Sequence, residues 1–309
     1  MNTESITVIS EIWDDILAIE KNASLYKETN FTGRADAMDF IDVHIIDRIE
    51  TLLEKPGPKQ EPDLLRQRAE RVKSELEEIN TSLFKRLREK LSRESYTKSF
   101  FPEMIRKYLG FSIRAVDRQD KIGYDNSDIF INGLLSDRVI PGATLEMKGG
   151  MVFYQKTPVR IVFEMVELAQ LSSKDVFFDI GSGLGQVVIL VNLISGTVAR
   201  GIEYEPAYCE YAKIGASQLN LLNVEFINAE AHKGDYSQGT VFFLYTPFEG
   251  KMLEDMLEVL QEESRKRAIR VFTYGPCSSR IARQGWLNCV NGGADNPYKL
   301  YEFRSLAVS

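Results

Sequence analysis

Residues 176–188 have the sequence VFFDIGSGLGQVV. A short apolar run contains an acid near its end, three glycines follow at every second position, and a second apolar run begins. This pattern predicts a buried parallel strand, a tight turn and the start of a helix. Glycine has no Cβ, so it tolerates positive φ and lets the backbone approach a ligand. The helix N-terminus directs unpaired N–H groups at that ligand. The stretch therefore predicts a binding turn at the carboxyl edge of an open α/β sheet.

Strand and helix patterns alternate through the second half of the chain, as in a parallel sheet with crossover helices. Strands are predicted at 176–180, 198–203, 224–228, 240–245 and 269–274. Helices are predicted at 158–170, 185–195, 206–220, 249–262 and 278–284. The last apolar segments, 286–290 and 298–303, flank a Gly-Gly turn and predict an antiparallel hairpin. The predicted fold is α/β, a Rossmann-like seven-stranded sheet of five parallel strands closed by that hairpin.

Two ligand classes use a glycine turn of this kind. The dinucleotide fingerprint is G-x-G-x-x-G, but Gln186 stands at its sixth position here. The glycines instead follow Asp179 as D-x-G-x-G-x-G, which resembles motif I of the class I S-adenosylmethionine-dependent methyltransferases. The resemblance implies S-adenosyl-L-methionine as the cofactor and a set of cofactor-binding residues in the turn. These residues are Asp179, Gly181, Ser182, Gly183, Gly185 and Gln186.

Acids also follow the second and third predicted strands. Glu203 is placed to accept from both ribose hydroxyls, because a carboxylate has two acceptor oxygens. Nicotinamide enzymes use the same device. Glu230 is a candidate to accept from the adenine amino group while the backbone N–H of Ala231 meets a ring nitrogen. A solvated loop acid is the alternative for Glu230, and Glu205 is interpreted as solvated.

Thr-Pro pairs and aromatic residues mark the edge where a methyl group would be transferred. Thr157 suits the N-cap of the helix at 158–170, and the segment from Tyr154 to Thr157 also lies close to the cofactor turn. Thr246 and Phe248 follow the fourth strand, and Phe248 either walls a methyl channel or is core. We interpret Tyr154, Thr246 and Phe248 as catalytic and Thr157 as cofactor-binding.

Three segments resemble the non-SET histone-lysine methyltransferase family: Asp179 to Val188, the helix start at Thr157-Pro158, and Gly201-Ile202-Glu203. They are equally similar to many bacterial class I methyltransferases. Those relatives carry Tyr-x-x-Thr-Pro before the first strand and Asn-Pro-Phe after the fourth, whereas this chain has Thr246 in place of the Asn. The resemblance covers roughly residues 151–275. It implies methyl transfer to an unidentified acceptor, a protein lysine, another amine or a small molecule.

Two other functions stay open. A nicotinamide-dependent oxidoreductase shares the glycine turn and the acid after the second strand. A cofactor-binding protein without catalysis would keep the same fold and use its helical half as the working surface.

Apolar residues at helical spacing fill the first third of the chain. Helices are predicted at 4–20, 35–54 and 63–95, separated by a polar loop at 22–33 and a Pro-Gly-Pro break at 56–58. The third helix has a 4-3 apolar spacing that favours an antiparallel pairing with helix 35–54 over a free coiled coil. The predicted domains are a helical domain at 1–122, a connector at 123–157 and a methyltransferase domain at 158–309. The helical domain is a candidate for self-association or for binding a protein partner.

Charge and cysteine content limit the remaining choices. The net charge of −7 argues against a general nucleic-acid binder. Residues 1–50 hold 4 basic and 11 acidic side chains, whereas residues 55–118 hold 16 and 10. These regions are either complementary solvated helix faces, or the basic face binds an acidic partner. The 3 cysteines lack metal spacing, which predicts reduced thiols, no metal site and a cytoplasmic location. No apolar run is long enough to span a bilayer.

Overall fold

The computed structural model describes residues 3–94, 99–111, 113 and 123–306. The chain divides into two compact units. A helical unit comprises the described residues up to Arg88 together with Lys107–Gly110 and Asp125–Leu134. A sheet unit comprises the described residues of Glu89–Arg106, Phe111–Tyr124 and Leu135–Ser309. The predicted domain boundaries at 122 and 157 stay a prediction.

The sheet unit is built on a seven-stranded sheet with the order β3-β2-β1-β4-β5-β7-β6. Its strands are β1 (Val176–Ile180), β2 (Val198–Glu203), β3 (Val224–Asn228), β4 (Val241–Tyr245), β5 (Arg270–Tyr274), β6 (Leu287–Cys289) and β7 (Tyr301–Ser305). The first five are parallel, and β7 is antiparallel to both β5 and β6. The predicted seven-stranded α/β sheet with a closing hairpin is confirmed. Because β1 lies between β2 and β4, the residues that follow these three strands meet at one edge.

Helices connect and flank these strands. They are α7 (Val159–Ala169), α8 (Gln186–Ser195), α9 (Pro206–Gln218), α10 (Gly250–Lys266) and α11 (Cys277–Ile281). Helix α8 is buried along its length from Gln186 to Leu193, as the uninterrupted apolar sequence requires. Helix α10 buries only one face, and Met256 and Leu260 on that face pack in the same core cluster as Phe178 of β1. No helix that the structure describes is long and apolar enough to cross a membrane.

Six helices precede α7 in the described part of the chain. They are α1 (Thr3–Lys21), α2 (Phe31–Phe40), α3 (Asp47–Glu54), α4 (Gln60–Glu94), α5 (Phe100–Leu109) and α6 (Asn126–Leu135), and a π-helical segment, Ile41–Ile46, joins α2 to α3. A core cluster of the helical unit combines Ile12 of α1, Ile45 of the π-helical segment, Ile49 of α3 and Ala69 of α4. The 4-3 apolar stripe of α4 therefore packs against the π-helical segment and α3, which lie within the predicted helix 35–54. It also packs against α1.

Two predictions in this region were wrong. The helix predicted to begin at residue 35 begins at Phe31, because the Asn30 side chain caps it by accepting from the Gly33 N–H at 3.2 Å. Residues 126–135 lie in the predicted connector, for which the sequence predicts no helix, but they form α6. Gly133 inside that helix lowers the helical propensity of the sequence. The glycine is needed for packing, because a Cβ there would lie 2.2 Å from the Phe84 ring.

Ion pairs join the acidic first fifty residues to α4. Arg68 binds Glu20, Lys73 binds Asp42 at 2.7 Å, and Arg86 binds Glu28. This pairing is what complementary helix faces require, and the alternative of a basic surface for an acidic partner stays open.

Candidate functional site

A cavity of about 730 Å³ opens at the carboxyl edge of the sheet unit. It is lined by the residues that follow each of the strands β1 to β5, by the segment 143–158 and by the turn before β7. This volume is within the range of pockets that bury a ligand the size of a nucleoside cofactor.

Most residues predicted for the site line this cavity. They are Tyr154, Thr157, Asp179, Gly181, Ser182, Gln186, Glu203, Glu230, Ala231, Thr246 and Phe248. The other two, Gly183 and Gly185, shape the turn instead. The Gly183 N–H donates to Glu203 Oε2 at 2.7 Å, and Gly185 is the N-cap of α8 with a φ of 84°.

The glycine turn has no space for side chains. A Cβ on Gly181 would lie 2.5 Å from Pro247, and one on Gly183 would lie 2.1 Å from the Tyr154 ring. Both residues also have positive φ, 82° and 51°. These positions therefore need glycine for packing as well as for conformation.

Thr157 is not the N-cap that the sequence predicts. Pro158 holds that position with φ −55° and ψ 133°, and α7 begins at Val159. Thr157 is buried, and its carbonyl accepts from Gln186 Nε2 at 3.0 Å. The predicted cap was one residue early because Thr157 is tied to the start of α8 rather than to its own helix.

Asp179 is a buried carboxylate without a protein partner. It is 4% exposed, and it makes no hydrogen bond within the described residues. Burial, followed by the nearby charge of Glu203, raises the pKa of Asp179 to about 8. The Ser182 hydroxyl is also buried and unpaired in the described structure. Because unpaired buried polar groups cost free energy, these two groups fit a ligand that brings a cation and further polar atoms.

Glu203 is held by the backbone and keeps acceptor capacity. Its two carboxylate oxygens accept from Gly183 N–H at 2.7 Å and from Glu205 N–H at 2.8 Å. Burial raises the pKa of Glu203 despite these bonds. Each oxygen has a second lone pair, so the side chain has room to accept from two ligand hydroxyls.

Glu205 was wrongly interpreted as solvated. It is buried at the start of α9, where it accepts from Ala207 N–H at 3.0 Å as the helix N-cap. It also accepts from Thr144 Oγ1 at 2.6 Å and Leu145 N–H at 2.9 Å. Burial acts to raise the pKa of Glu205, but the hydrogen bonds from Thr144 and Leu145 lower it on balance. An acid followed by proline is a helix-start signal, and that signal would have found this residue.

We expect the Glu205→Ala variant to lose about 1–2 kcal/mol of stability, because one helix cap and two further hydrogen bonds disappear. Chemical unfolding monitored by circular dichroism measures the loss. The matched control is Glu210→Ala on the exposed face of the same helix, for which we expect a change within about 0.5 kcal/mol. Equal midpoints for the two variants would show that Glu205 does not anchor segment 143–147.

Glu230 lies at the rim of the cavity between two lysines. Lys233 Nζ is 2.7 Å away and Lys148 Nζ is 3.1 Å away. Hydrogen bonds from Lys233 and Lys148 lower the pKa of Glu230 to about 2. The carboxylate is thus ionised and ion-paired, and the choice between an adenine acceptor and a solvated loop acid stays open.

Thr246 is strained and already hydrogen-bonded. Its φ is 38°, a conformation that a β-branched residue rarely adopts. Its hydroxyl donates to Tyr274 O at 3.3 Å and accepts from Cys277 N–H at 3.2 Å. The hydroxyl is therefore used to hold the end of β4 against β5.

Aromatic rings also line the cavity. Phe248 is 5% exposed, belongs to the core cluster and also lines the cavity. Its role as the wall of a methyl channel stays a prediction. The rings of Tyr245 and Tyr274 are 5.0 Å apart, and those of Tyr154 and Tyr208 are 5.6 Å apart. Burial, together with the neighbouring Tyr274, raises the pKa of Tyr245 to about 12, so its hydroxyl is neutral at pH 7.

The charged side chains described in the cavity lining are all acidic. Among the residues that the structure describes, the lining contains no Lys, Arg or His. Its acids are Glu146, Asp179, Glu203, Glu205, Glu230 and Glu249. Such a cavity attracts cations and disfavours anions such as phosphate.

A family model described as "Histone methylation protein DOT1" matches residues 148–243. This range contains the glycine turn, Glu203 and Glu230. A comparison with curated proteins finds no match.

Solved structures of methyltransferases are similar in fold. An RNA methyltransferase from Salinibacter ruber is 25% identical, with 49% of this chain and 92% of that chain covered and a TM-score of 0.40. A precorrin-6y C5,15-methyltransferase from Geobacter metallireducens is 17% identical, with coverages of 51% and 94% and a TM-score of 0.39. A SAM-dependent methyltransferase from Geobacter sulfurreducens is 20% identical, with coverages of 41% and 54% and a TM-score of 0.33. The Salinibacter and Geobacter sulfurreducens proteins were solved with S-adenosyl-L-homocysteine.

The strand order, the antiparallel β7 and the glycine turn after β1 agree with the family match. The chain has the class I methyltransferase fold, and between residues 148 and 243 it resembles the histone methylation protein DOT1.

Proposed function

We propose that this protein transfers a methyl group from S-adenosyl-L-methionine to an amine, of which a protein lysine is one candidate. The observation that carries the proposal is the unpaired, buried carboxylate of Asp179 in a cavity whose described lining has no basic side chain. S-adenosyl-L-methionine has an ammonium and a sulfonium group and no phosphate. Its charge therefore suits this cavity better than that of a dinucleotide.

Each residue has a distinct role in this proposal. Asp179 accepts from the ammonium group, and Ser182 supplies a further polar contact. Glu203 accepts from the ribose hydroxyls with its free lone pairs. Glu230 and Ala231 remain the candidates for the adenine edge, and the glycines keep the backbone close to the ligand.

The cofactor, when bound, supplies an electrophilic methyl group, so the protein contributes position and a dry pocket. The aromatic part of the lining, with Tyr245, Tyr274 and Phe248, would receive the acceptor. A lysine amine must lose its proton before it can attack. Transfer from water into an aromatic pocket lowers the pKa of an ammonium group and favours that loss.

The test is calorimetric titration of the full chain with S-adenosyl-L-methionine, S-adenosyl-L-homocysteine and NAD. We expect binding of the first two and none of NAD. Binding of NAD alone would contradict this charge argument, because the NAD pyrophosphate would then enter the acidic cavity. It would support the nicotinamide-dependent oxidoreductase instead.

Transfer is tested with radiolabelled cofactor and poly-L-lysine as the acceptor, with polyuridylic acid as the anionic control. Label on poly-L-lysine alone supports an amine acceptor. Tight cofactor binding without label on either polymer or on free L-lysine would favour the catalytically inactive alternative.

A further inference from the structure

A side-chain amide stands next to aromatic side chains that line the cavity. Gln155 belongs to the segment that precedes α7, is exposed and lines the cavity. Its Oε1 accepts from the Tyr245 hydroxyl at 3.2 Å. Tyr245 is the last residue of β4, and its ring lies against that of Tyr274. The tyrosine therefore holds the Gln155 amide oxygen at the edge where β4 and β5 end.

The Thr246 hydroxyl is a less accessible acceptor than the Gln155 amide, because Thr246 is buried and Gln155 is exposed. Its hydroxyl already donates to Tyr274 O and accepts from Cys277 N–H. A Cβ on Gly275 would lie 2.4 Å from that hydroxyl, so the group is enclosed on the β5 side as well. Releasing it to bind a substrate would leave a buried N–H without a partner, which costs free energy.

We propose that Gln155, held by Tyr245, supplies the oxygen that orients the acceptor nitrogen. A carbonyl oxygen has two lone pairs, and the Tyr245 hydroxyl uses only one. The second accepts one N–H of the neutral acceptor amine and turns the nitrogen lone pair toward the methyl group. The inference rests on the proposed methyl transfer.

The proposed transfer is a direct displacement at the methyl carbon. The acceptor nitrogen forms the new N–C bond as the C–S bond breaks, and the electron pair of the C–S bond stays on sulfur. The methylated nitrogen is then a cation, and it releases one proton to water. Gln155 takes no proton and is unchanged at the end.

Sinefungin is the probe for this contact, because it has an amine-bearing carbon where the cofactor has its methylated sulfonium. S-adenosyl-L-homocysteine has neither amine nor methyl at that point. The ratio of the two dissociation constants, measured by calorimetry, therefore reports hydrogen-bond acceptors at the transfer position and needs no knowledge of the true acceptor.

We expect Gln155→Leu to weaken sinefungin binding about tenfold, the effect of one hydrogen bond to a charged group, and to leave S-adenosyl-L-homocysteine binding within about twofold. Gln155→Glu should strengthen sinefungin binding, because a carboxylate binds an ammonium group more strongly than an amide does. Tyr245→Phe should give an intermediate loss, because the amide is then less well held. The matched control is Gln218→Leu at the exposed end of α9.

The outcomes separate this inference from the function on which it rests. If the wild-type protein binds S-adenosyl-L-homocysteine but Gln155→Leu leaves the ratio unchanged, the role of Gln155 is wrong and the proposed function stands. If the wild-type protein binds neither compound, the proposed function fails and the inference fails with it.

Discussion

The Asp179→Asn variant is expected to bind S-adenosyl-L-homocysteine about 100- to 1,000-fold more weakly than the wild type, because a buried charge pair loses one partner. Asparagine has the same shape, and Asp179 makes no hydrogen bond within the described residues that the change would break. The loss of affinity therefore reports the contact between Asp179 and the ligand and not a change in the fold. Calorimetry at pH 8 measures it.

The same variant should be more stable than the wild type without ligand. The pKa of Asp179 is raised to about 8 by burial, so between pH 4 and pH 8 the folded protein keeps a proton that the unfolded chain has lost. Stability of the wild type therefore falls as pH rises through this window, and asparagine removes that fall. Denaturant unfolding at pH 5, 6.5 and 8 should show an advantage of the variant that grows with pH.

Asp175 is the control for this pair of measurements. It precedes β1 and binds Ser172, Thr240 and Arg270. Burial acts to raise the pKa of Asp175, but the hydrogen bonds from Ser172 and Thr240 and the charge of Arg270 lower it on balance. Asp175→Asn should therefore lower stability at neutral pH and leave ligand affinity nearly unchanged. Weaker binding by Asp179→Asn together with lower stability at pH 8 would contradict the view that Asp179 is unpaired without ligand.

Glu203→Ala is expected to abolish measurable cofactor binding, a loss of more than about 1,000-fold, and also to lower stability by about 2–4 kcal/mol. In the proposed site, the affinity would fall because two ribose hydroxyls lose their acceptors. The stability falls because the buried N–H groups of Gly183 and Glu205 lose theirs. Calorimetry and chemical unfolding of one preparation measure both losses.

Glu230→Gln is the comparison within the same cavity. Its carboxylate is shared by Lys148 and Lys233 at the rim, so we expect no more than about a fivefold loss of affinity and no measurable loss of stability. If Glu230→Gln weakened binding as much as Glu203→Ala, the adenine contact would outweigh the ribose contact, and the ranking of the two acids would be reversed.

The strands were predictable because the sheet is buried on both faces. Strands β1, β2 and β3 have the bounds that the apolar runs predict, and β4 and β5 each begin one residue later. Parallel strands of this kind are continuous in hydrophobicity and end at charged or glycine residues. The position of the cavity was predictable for the same reason, since the residues that follow adjacent parallel strands meet at one edge of the sheet.

What the sequence could not supply was the second partner of each polar group. The hydrogen bonds of Thr246 were not predictable, because nothing in the sequence places Cys277 N–H against its hydroxyl. Glu205 looked solvated because Thr144 and Leu145 are about sixty residues away in the chain. The sequence offers no reason to select Gln155, because its hydrogen-bond partner Tyr245 lies on a strand that is distant in the chain. Contacts between distant segments decide these roles, and periodicity does not encode them.

The π-helical segment Ile41–Ile46 has a consequence for variation in chain length. A π turn contains one residue more than an α turn, so a homologue with one residue fewer here would close the segment into a regular α-helix. Each residue turns an α-helix by roughly 100°, but the wide turn already absorbs its extra residue, so Ile49 and Leu52 would keep facing the core they now fill. Single-residue deletions within this segment should therefore need no compensating apolar substitutions in α3.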